Sequence, residues 1–221
     1  MGTYDTVIFD LDGTLLNTLE DLADAVNYVM RQHGYPERTL EEVRLFVGNG
    51  IRKLMERAVP DSVQGTAFET VFEEFREYYT DHCQIKTGVY DGIMELLDIL
   101  DRKGCAMAVV SNKNHAAVCE LNHIYFEKYM KTAIGQREGV RKKPAPDTVY
   151  EALKALGSVK EKALYVGDSD VDFATAENAG MDCVLVSWGF RTKEELKGCR
   201  PKAVIEKPME LLKFFPDTAE S

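Results

Sequence analysis

The segment Val7-Ile8-Phe9-Asp10-Leu11-Asp12-Gly13-Thr14-Leu15 limits the possible folds more than any other part of the chain. A run of strand-forming apolar residues stops on an aspartate, a second aspartate follows two places on, and then a glycine. That pattern describes a buried strand delivering carboxylates to the end of a sheet. Unpaired carboxylates are costly to bury, so acids in such a place are expected to hold a cation or do chemistry. The same residues also allow a plainer reading, in which Asp12-Gly13 simply reverses the chain.

Two periodicities divide the rest of the chain. From Asn17 to His33, Leu19, Leu22, Ala23, Val26, Val29 and Met30 recur at helical spacing, with Thr18 and Asp21 placed as a capping box. Thr39 to Phe46, Ile51 to Val59 and Ala67 to Cys83 continue the helical pattern, and the aromatic stripe of the last is read as packing between helices. From Tyr90 onward helices alternate with apolar strands: helix Gly92–Lys103, strand Ala106–Ser111, helix His115–His123, strand Thr132–Gly135, helix Asp147–Gly157 and strand Ala163–Gly167. A helix over Asp172–Ala179 and strands at Cys183–Ser187 and Ala203–Ile205 complete the series. The alternation predicts an α/β fold with a doubly wound parallel sheet, helices on both faces, and ligands beyond the carboxyl ends of the strands. The expected division is a core of residues 1–15 and 86–221 with an inserted all-helical cap of residues 16–85 over that site. Asp217 to Ser221 reads as a loose tail.

Composition narrows the partners. With 221 residues and 45% hydrophobic content the chain can bury a sizeable core. A formal net charge of −10 disfavours nucleic acid or an anionic membrane as the main partner, so an anionic ligand has to be drawn by a local cationic site. Cys83, Cys105, Cys119, Cys183 and Cys199 are widely spaced and suggest reduced thiols rather than disulfides or zinc. Neither a signal segment nor a run of membrane-spanning length is apparent, and a cytoplasmic location is expected. The four histidines show no metal-ligand spacing.

Asp10-x-Asp12-Gly13-Thr14-Leu15 resembles the first motif of the haloacid dehalogenase superfamily of aspartate-nucleophile phosphatases. Ser111-Asn112, Lys143-Pro144 and Gly167-Asp168-Ser169-Asp170-Val171-Asp172 stand in the order of that family's later motifs. Asp21-Leu22-Ala23-Asp24-Ala25-Val26-Asn27, Val47-Gly48-Asn49-Gly50 and Val166-Gly167-Asp168-Ser169 are similar to its phosphoglycolate phosphatase branch. The resemblance runs from about Thr3 to about Phe215 and departs at Asn17-Thr18, where relatives often have Asp-Ser. It implies a Rossmann-like core and Mg²⁺-dependent hydrolysis of a small phosphomonoester through an aspartyl-phosphate, with 2-phosphoglycolate favoured. Asp10 is then the nucleophile, and Asp12 the general acid and later the general base. Asp10, Asp12 through its carbonyl, and Asp168 would hold the metal, and Asp172 would serve the same centre by orienting a metal-bound water or Lys143. Thr14, Ser111, Asn112 and Lys143 would meet the phosphate. In the cap, Gly50 and Arg52 would meet the rest of the substrate.

Other readings stay open on the residues alone. Ser111-Asn112 can be a turn after a strand, Lys142-Lys143-Pro144 an exposed basic loop, and Gly48-Asn49-Gly50 an interhelical turn. A phosphomutase of the β-phosphoglucomutase kind shares both aspartates, but Leu22 stands where such enzymes have a histidine. A phosphatase of pyrophosphate, nucleotides or sugar phosphates, or a non-catalytic phosphate-binding protein, completes the alternatives.

Overall fold

A computed structural model describes residues 4–215; the tail expected at Asp217–Ser221 lies outside them. In chain order the elements are β1 (Thr6–Phe9), β2 (Leu16–Asn17), α1 (Leu19–Gln32), α2 (Leu40–Phe46), α3 (Ile51–Ala58), α4 (Thr66–His82), β3 (Gly88–Val89) and α5 (Ile93–Arg102). Then come β4 (Ala106–Asn114), α6 (His115–Tyr125), β5 (Thr132–Gln136), α7 (Asp147–Leu156), β6 (Ala163–Gly167), α8 (Asp170–Ala179), β7 (Asp182–Val186) and β8 (Ala203–Ile205). Short 3-10 stretches lie at Lys160–Lys162, Glu195–Gly198 and Pro208–Phe214. Contacts divide the chain into two compact units, one up to Leu15 and from Val89 onward, the other Leu16–Gly88.

The first unit is the α/β one. Its six strands run in the order β5-β4-β1-β6-β7-β8, and each neighbouring pair is parallel. From β1 the chain winds outward through β4 and β5, then crosses back to build β6, β7 and β8 on the other side. The strand order therefore reverses at β1, and the carboxyl ends of β1, β4 and β6 flank the crevice where a doubly wound sheet binds its ligand. Every residue of β1 is buried, which explains its unbroken apolar run. Ile8, Ala108, Val110, Tyr165 and Cys183 pack with Val149 and Ala152 of α7 and Ala176 of α8 in one core. Val7, Phe9, Val109, Leu164 and Val184 alternate with them and are buried too, so both faces of the sheet are covered.

Several boundaries depart from the periodic reading by one to three residues, two of them next to the strand ends that matter most. β4 runs on to Asn114 because the chain stays extended after its register with β5 shifts between Val110 and Asn114. α8 starts at Asp170, since Ser169 caps it and Asp172 closes the box as the third helical residue.

In the helical unit, α4 buries Phe68, Val71, Phe72, Phe75 and Tyr79, and Tyr78 stacks on Tyr28 of α1 with ring centroids 3.8 Å apart. The aromatic stripe is packing, as its spacing suggests. The capping box expected at Thr18 and Asp21 does not form: the Thr18 side chain makes no capping hydrogen bond, and Leu19 N–H is met by Asn17 Oδ1 at 3.3 Å. Asp21 is instead buried, and its oxygens accept from Lys86 N–H at 2.9 Å and Thr87 N–H at 2.8 Å. Two charge-assisted bonds to a distant stretch of backbone outcompete one local cap. The segments that open and close this unit also pair through β2 and β3, which are too short to show a period in sequence. Among the described residues no helix is long and apolar enough to cross a membrane.

Candidate active site

Asp10 follows directly on β1, and its N–H extends the ladder by donating to Val166 O at 2.8 Å. The strand pairing thus fixes the backbone that carries the first acid. Asp168 follows β6, and Asp172 lies in the first turn of α8. These three buried aspartates each place a carboxylate oxygen within 4.8 Å of the others. Their approach depends on two glycines. Gly13 turns with φ at +86°, and a Cβ there would lie 2.8 Å from Asp168 Cγ; one on Gly167 would lie 2.8 Å from Asp172 Oδ2.

A buried cation meets two of the three acids. Lys143, with its side chain 3% exposed, donates to Asp10 Oδ1 at 2.6 Å, Asp172 Oδ1 at 2.8 Å and the Tyr165 hydroxyl at 3.2 Å. Tyr165 OH also donates to Asp172 Oδ1 at 3.1 Å, and Asp172 Oδ2 accepts from Ser169 N–H at 3.1 Å and Ser169 Oγ–H at 2.5 Å. Asp168 Oδ2 accepts from Phe190 N–H at 2.6 Å. Asp172 therefore serves as an anchor for Lys143, while Asp168 is tied to the backbone after β7.

The electrostatics follow from burial. Burial drives the Asp10 carboxyl up to about 7, the Asp172 charge adds to the rise, and the Lys143 ammonium holds it back. Burial, then the charges of Asp172 and Asp10, lifts Asp168 well above the usual carboxylate range. For Lys143 burial alone would lower the ammonium, but Asp10 and Asp172 outweigh it and the lysine stays charged. Tyr165, raised by burial, remains a phenol and keeps its proton to donate. Three acids against one buried cation leave a surplus of negative charge that a divalent cation would neutralise. An all-oxygen donor set suits a hard ion.

Asp12 sits apart from this cluster, on a side chain 20% exposed. Its Oδ2 lies 3.4 Å from Ser111 Oγ, which donates to it, and its Oδ1 accepts from Lys113 Nζ at 3.2 Å. Asn112 points elsewhere: its Nδ2 donates to Lys143 O at 3.1 Å and ties the end of β4 to the lysine loop, whose Lys143–Pro144 peptide is cis. Thr14 is wholly buried, its carbonyl accepts from Trp188 Nε1–H at 3.0 Å, and its Oγ1 has no hydrogen-bond partner among the described residues.

Residues 7–186 match the family model of the haloacid dehalogenase-like hydrolases. That span holds every acid and lysine just described. The chain belongs to the haloacid dehalogenase-like hydrolases. It is 33% identical over 220 residues to phosphoglycolate phosphatase 1 of Pseudomonas aeruginosa, covering 97% of this chain and 80% of that one. To the phosphoglycolate phosphatase of Aquifex aeolicus it is 32% identical, with 95% of each chain covered. A crystal structure of a phosphoglycolate phosphatase candidate from Lactobacillus delbrueckii superposes with a TM-score of 0.92 at 36% identity, over 96% of this chain and 99% of that one. The hydrolase is thus of the phosphoglycolate phosphatase-like branch.

Of the residues singled out in sequence, the hydrolase gathers Asp10, Lys143, Asp168 and Asp172 directly, and Asp12 with Ser111 beside them. Gly50 and Arg52 belong to the helical unit. Gly50 precedes α3 with φ at +85°. Arg52 already grips a carboxylate, donating through Nη1 to Glu69 Oε1 at 3.0 Å and through Nη2 to Glu69 Oε2 at 2.7 Å, with its guanidinium 4.6 Å from the centre of the Phe72 ring. Arg57 holds the Gly48–Gly50 loop by donating to Phe46 O at 2.6 Å and Asn49 Oδ1 at 2.8 Å. Sequence reasoning passed over Lys113 and Tyr165. Lys113 lies two residues beyond Ser111, hence on the same side of an extended chain, and Tyr165 is the one residue of β6 with a polar tip.

Proposed function

We propose that this hydrolase is a Mg²⁺-dependent phosphatase of small phosphomonoesters, with 2-phosphoglycolate its favoured substrate, working through an aspartyl-phosphate on Asp10. The observation that carries the reading is the cluster of three buried carboxylates at the ends of β1 and β6, two of them bonded to one buried lysine. The relatives named phosphoglycolate phosphatase supply the substrate class.

In this reading Asp10, Asp168 and the carbonyl of Asp12 would hold the ion, and Asp172 keeps Lys143 aimed at the reacting group. When bound, Mg²⁺ supplies the positive charge that lets one anion approach another. An Asp10 oxygen attacks phosphorus, the bond from phosphorus to the ester oxygen breaks, and Asp12 gives its proton to the departing alcohol. Water then attacks the phosphorus, Asp12 takes its proton, and the Asp10–phosphorus bond breaks to release phosphate. Lys143, Ser111 and the Asn112 N–H stabilise the charge on the phosphoryl oxygens, and Thr14 shapes the turn that presents Asp12. Gly50 and Arg52 are assigned to the substrate carboxylate, for which Arg52 shows the right chemistry in its two bonds to Glu69. Leu22, buried on α1, gives this chain no counterpart to the phosphomutase histidine.

The test is hydrolysis of 2-phosphoglycolate by metal-stripped protein, before and after Mg²⁺ is restored, with Asp10→Asn alongside. Activity that requires the ion and vanishes in Asp10→Asn is the expected result. Full turnover without a divalent ion, or near-normal turnover by Asp10→Asn, overturns the reading.

A further inference from the structure

Lys113 is buried, its side chain only 6% exposed, and the mechanism just given does not use it. It sits in the stretch of β4 that has left its register with β5, where residues two apart point the same way. Ser111 and Lys113 both use that freedom to reach Asp12, one at each carboxylate oxygen, and they are braced against each other: Lys113 N–H donates to Ser111 Oγ at 3.1 Å. An ammonium withdrawn from water is costly to keep without a partner, so a buried lysine aimed at a part-exposed acid is a specific arrangement, unlike a solvated surface pair.

We infer that Lys113 is a positioning residue for Asp12: it fixes the carboxyl for proton transfer to the departing alcohol and faces the negative charge that Asp12 acquires as the proton leaves. This rests on the phosphatase reading above. In the step concerned, the Asp10 oxygen bonds to phosphorus, the bond from phosphorus to the ester oxygen breaks, and the Asp12 proton passes to that oxygen. Asp12 ends as a carboxylate with Lys113 Nζ on Oδ1. A rigid cation already in place where charge appears needs no reorganisation during the step, and it removes the side-chain freedom that would let Asp12 drift out of reach. The other use of a buried lysine here would be to bind the phosphoryl group itself, as assigned to Lys143.

The two uses separate by leaving group. An alkyl alkoxide leaves only with a proton, whereas p-nitrophenolate leaves without one, and kcat/KM covers the steps through departure of the alcohol. Lys113→Met should lower kcat/KM for 2-phosphoglycolate by roughly 10- to 100-fold and for p-nitrophenyl phosphate by less than about threefold. The loss should fall on kcat rather than KM, Lys113→Arg should recover most of it, and Lys113→Met should cost little further in an Asp12→Asn background. If the methionine variant does not fold, as judged by its melting temperature, Lys113→Gln is read in the same way. An equal loss on both esters, or an undiminished loss in the Asp12→Asn background, overturns the inference while leaving the phosphatase reading intact. Wild-type protein that hydrolyses neither ester overturns that reading, and this inference with it.

Discussion

The two units of the chain use the same charged residue types in opposite ways. In the helical unit Arg52 and Glu69 make a two-bond pair with side chains 48% and 53% exposed, where water screens most of the attraction and neither group would be stranded without the other. In the α/β unit Lys143 meets two carboxylates in the interior, where desolvation is expensive and loss of the lysine leaves the acids uncompensated. A fold has no structural need for the second kind of pair, since apolar side chains would fill that space at lower cost. The contrast separates charge held in the interior at a cost from charge that water largely screens.

The strongest way to break the contrast is to remove the buried cation. Lys143→Met should reduce turnover of 2-phosphoglycolate by more than about 10³-fold and, at pH 8, cost about 3 to 5 kcal/mol in denaturant unfolding. A variant as stable as the parent would show that the acids do not depend on the lysine. Asp10→Asn is next: turnover should be lost, while stability of the metal-free protein at pH 8 is kept or raised, because one like charge has left the cluster. A clear fall in stability would contradict the repulsion argued for Asp10.

The pH dependence sharpens the same point. The Asp10 carboxyl, at about 7 in the folded chain, lies above the 3.8 of an ordinary aspartate, so the folded state holds an extra proton between those values. That contribution to stability is complete below about pH 4 and is lost as the pH rises through 7, the reverse of a carboxylate held low by a partner. Thermal melts of metal-free protein should therefore show falling stability from pH 5 to 8, with Asp168 pushing in the same direction, and Asp10→Asn should flatten the slope. Added Mg²⁺ should raise the melting temperature more at pH 8 than at pH 5, since ionised carboxylates bind it. The smallest effect belongs to the helical unit: Glu69→Ala should move the melting temperature by no more than about 2 °C. The test there is selectivity. Arg52→Ala should lower kcat/KM for 2-phosphoglycolate by roughly tenfold and for p-nitrophenyl phosphate by less than about threefold; an equal fall for both would give Arg52 a role in packing alone.

How much could be read in advance depends on how each residue announces itself. Asp10, Ser111 and Asp168 each stand at or just beyond the end of an apolar run, and a parallel sheet collects strand ends at one edge, so their placement at that edge follows from pattern alone. Lys143 needed the family resemblance, because a lysine in a basic loop looks the same whether exposed or buried. Lys113 stayed hidden because the register shift after Val110 lengthens β4 without leaving a mark in composition. Asp21 departs from its expected role for a related reason: its position suits a local cap, and nothing nearby signals that backbone N–H groups 65 residues away donate to its oxygens. Long-range partners of polar groups escape a one-dimensional reading, whereas apolar periodicity does not.

The grip of Asp21 on Lys86 and Thr87 makes the helical unit an insert with joined ends. It fastens the point where the chain enters the helical unit to the point where it departs, and β2 and β3 lie alongside each other at the same doorway. A segment whose two ends are clasped in this way behaves as a cassette: its interior can be lengthened or shortened without pulling its ends apart. A change of length within residues 16–88 is then taken up inside that segment and leaves the strands that carry the charged centre, β1 and β6, in register.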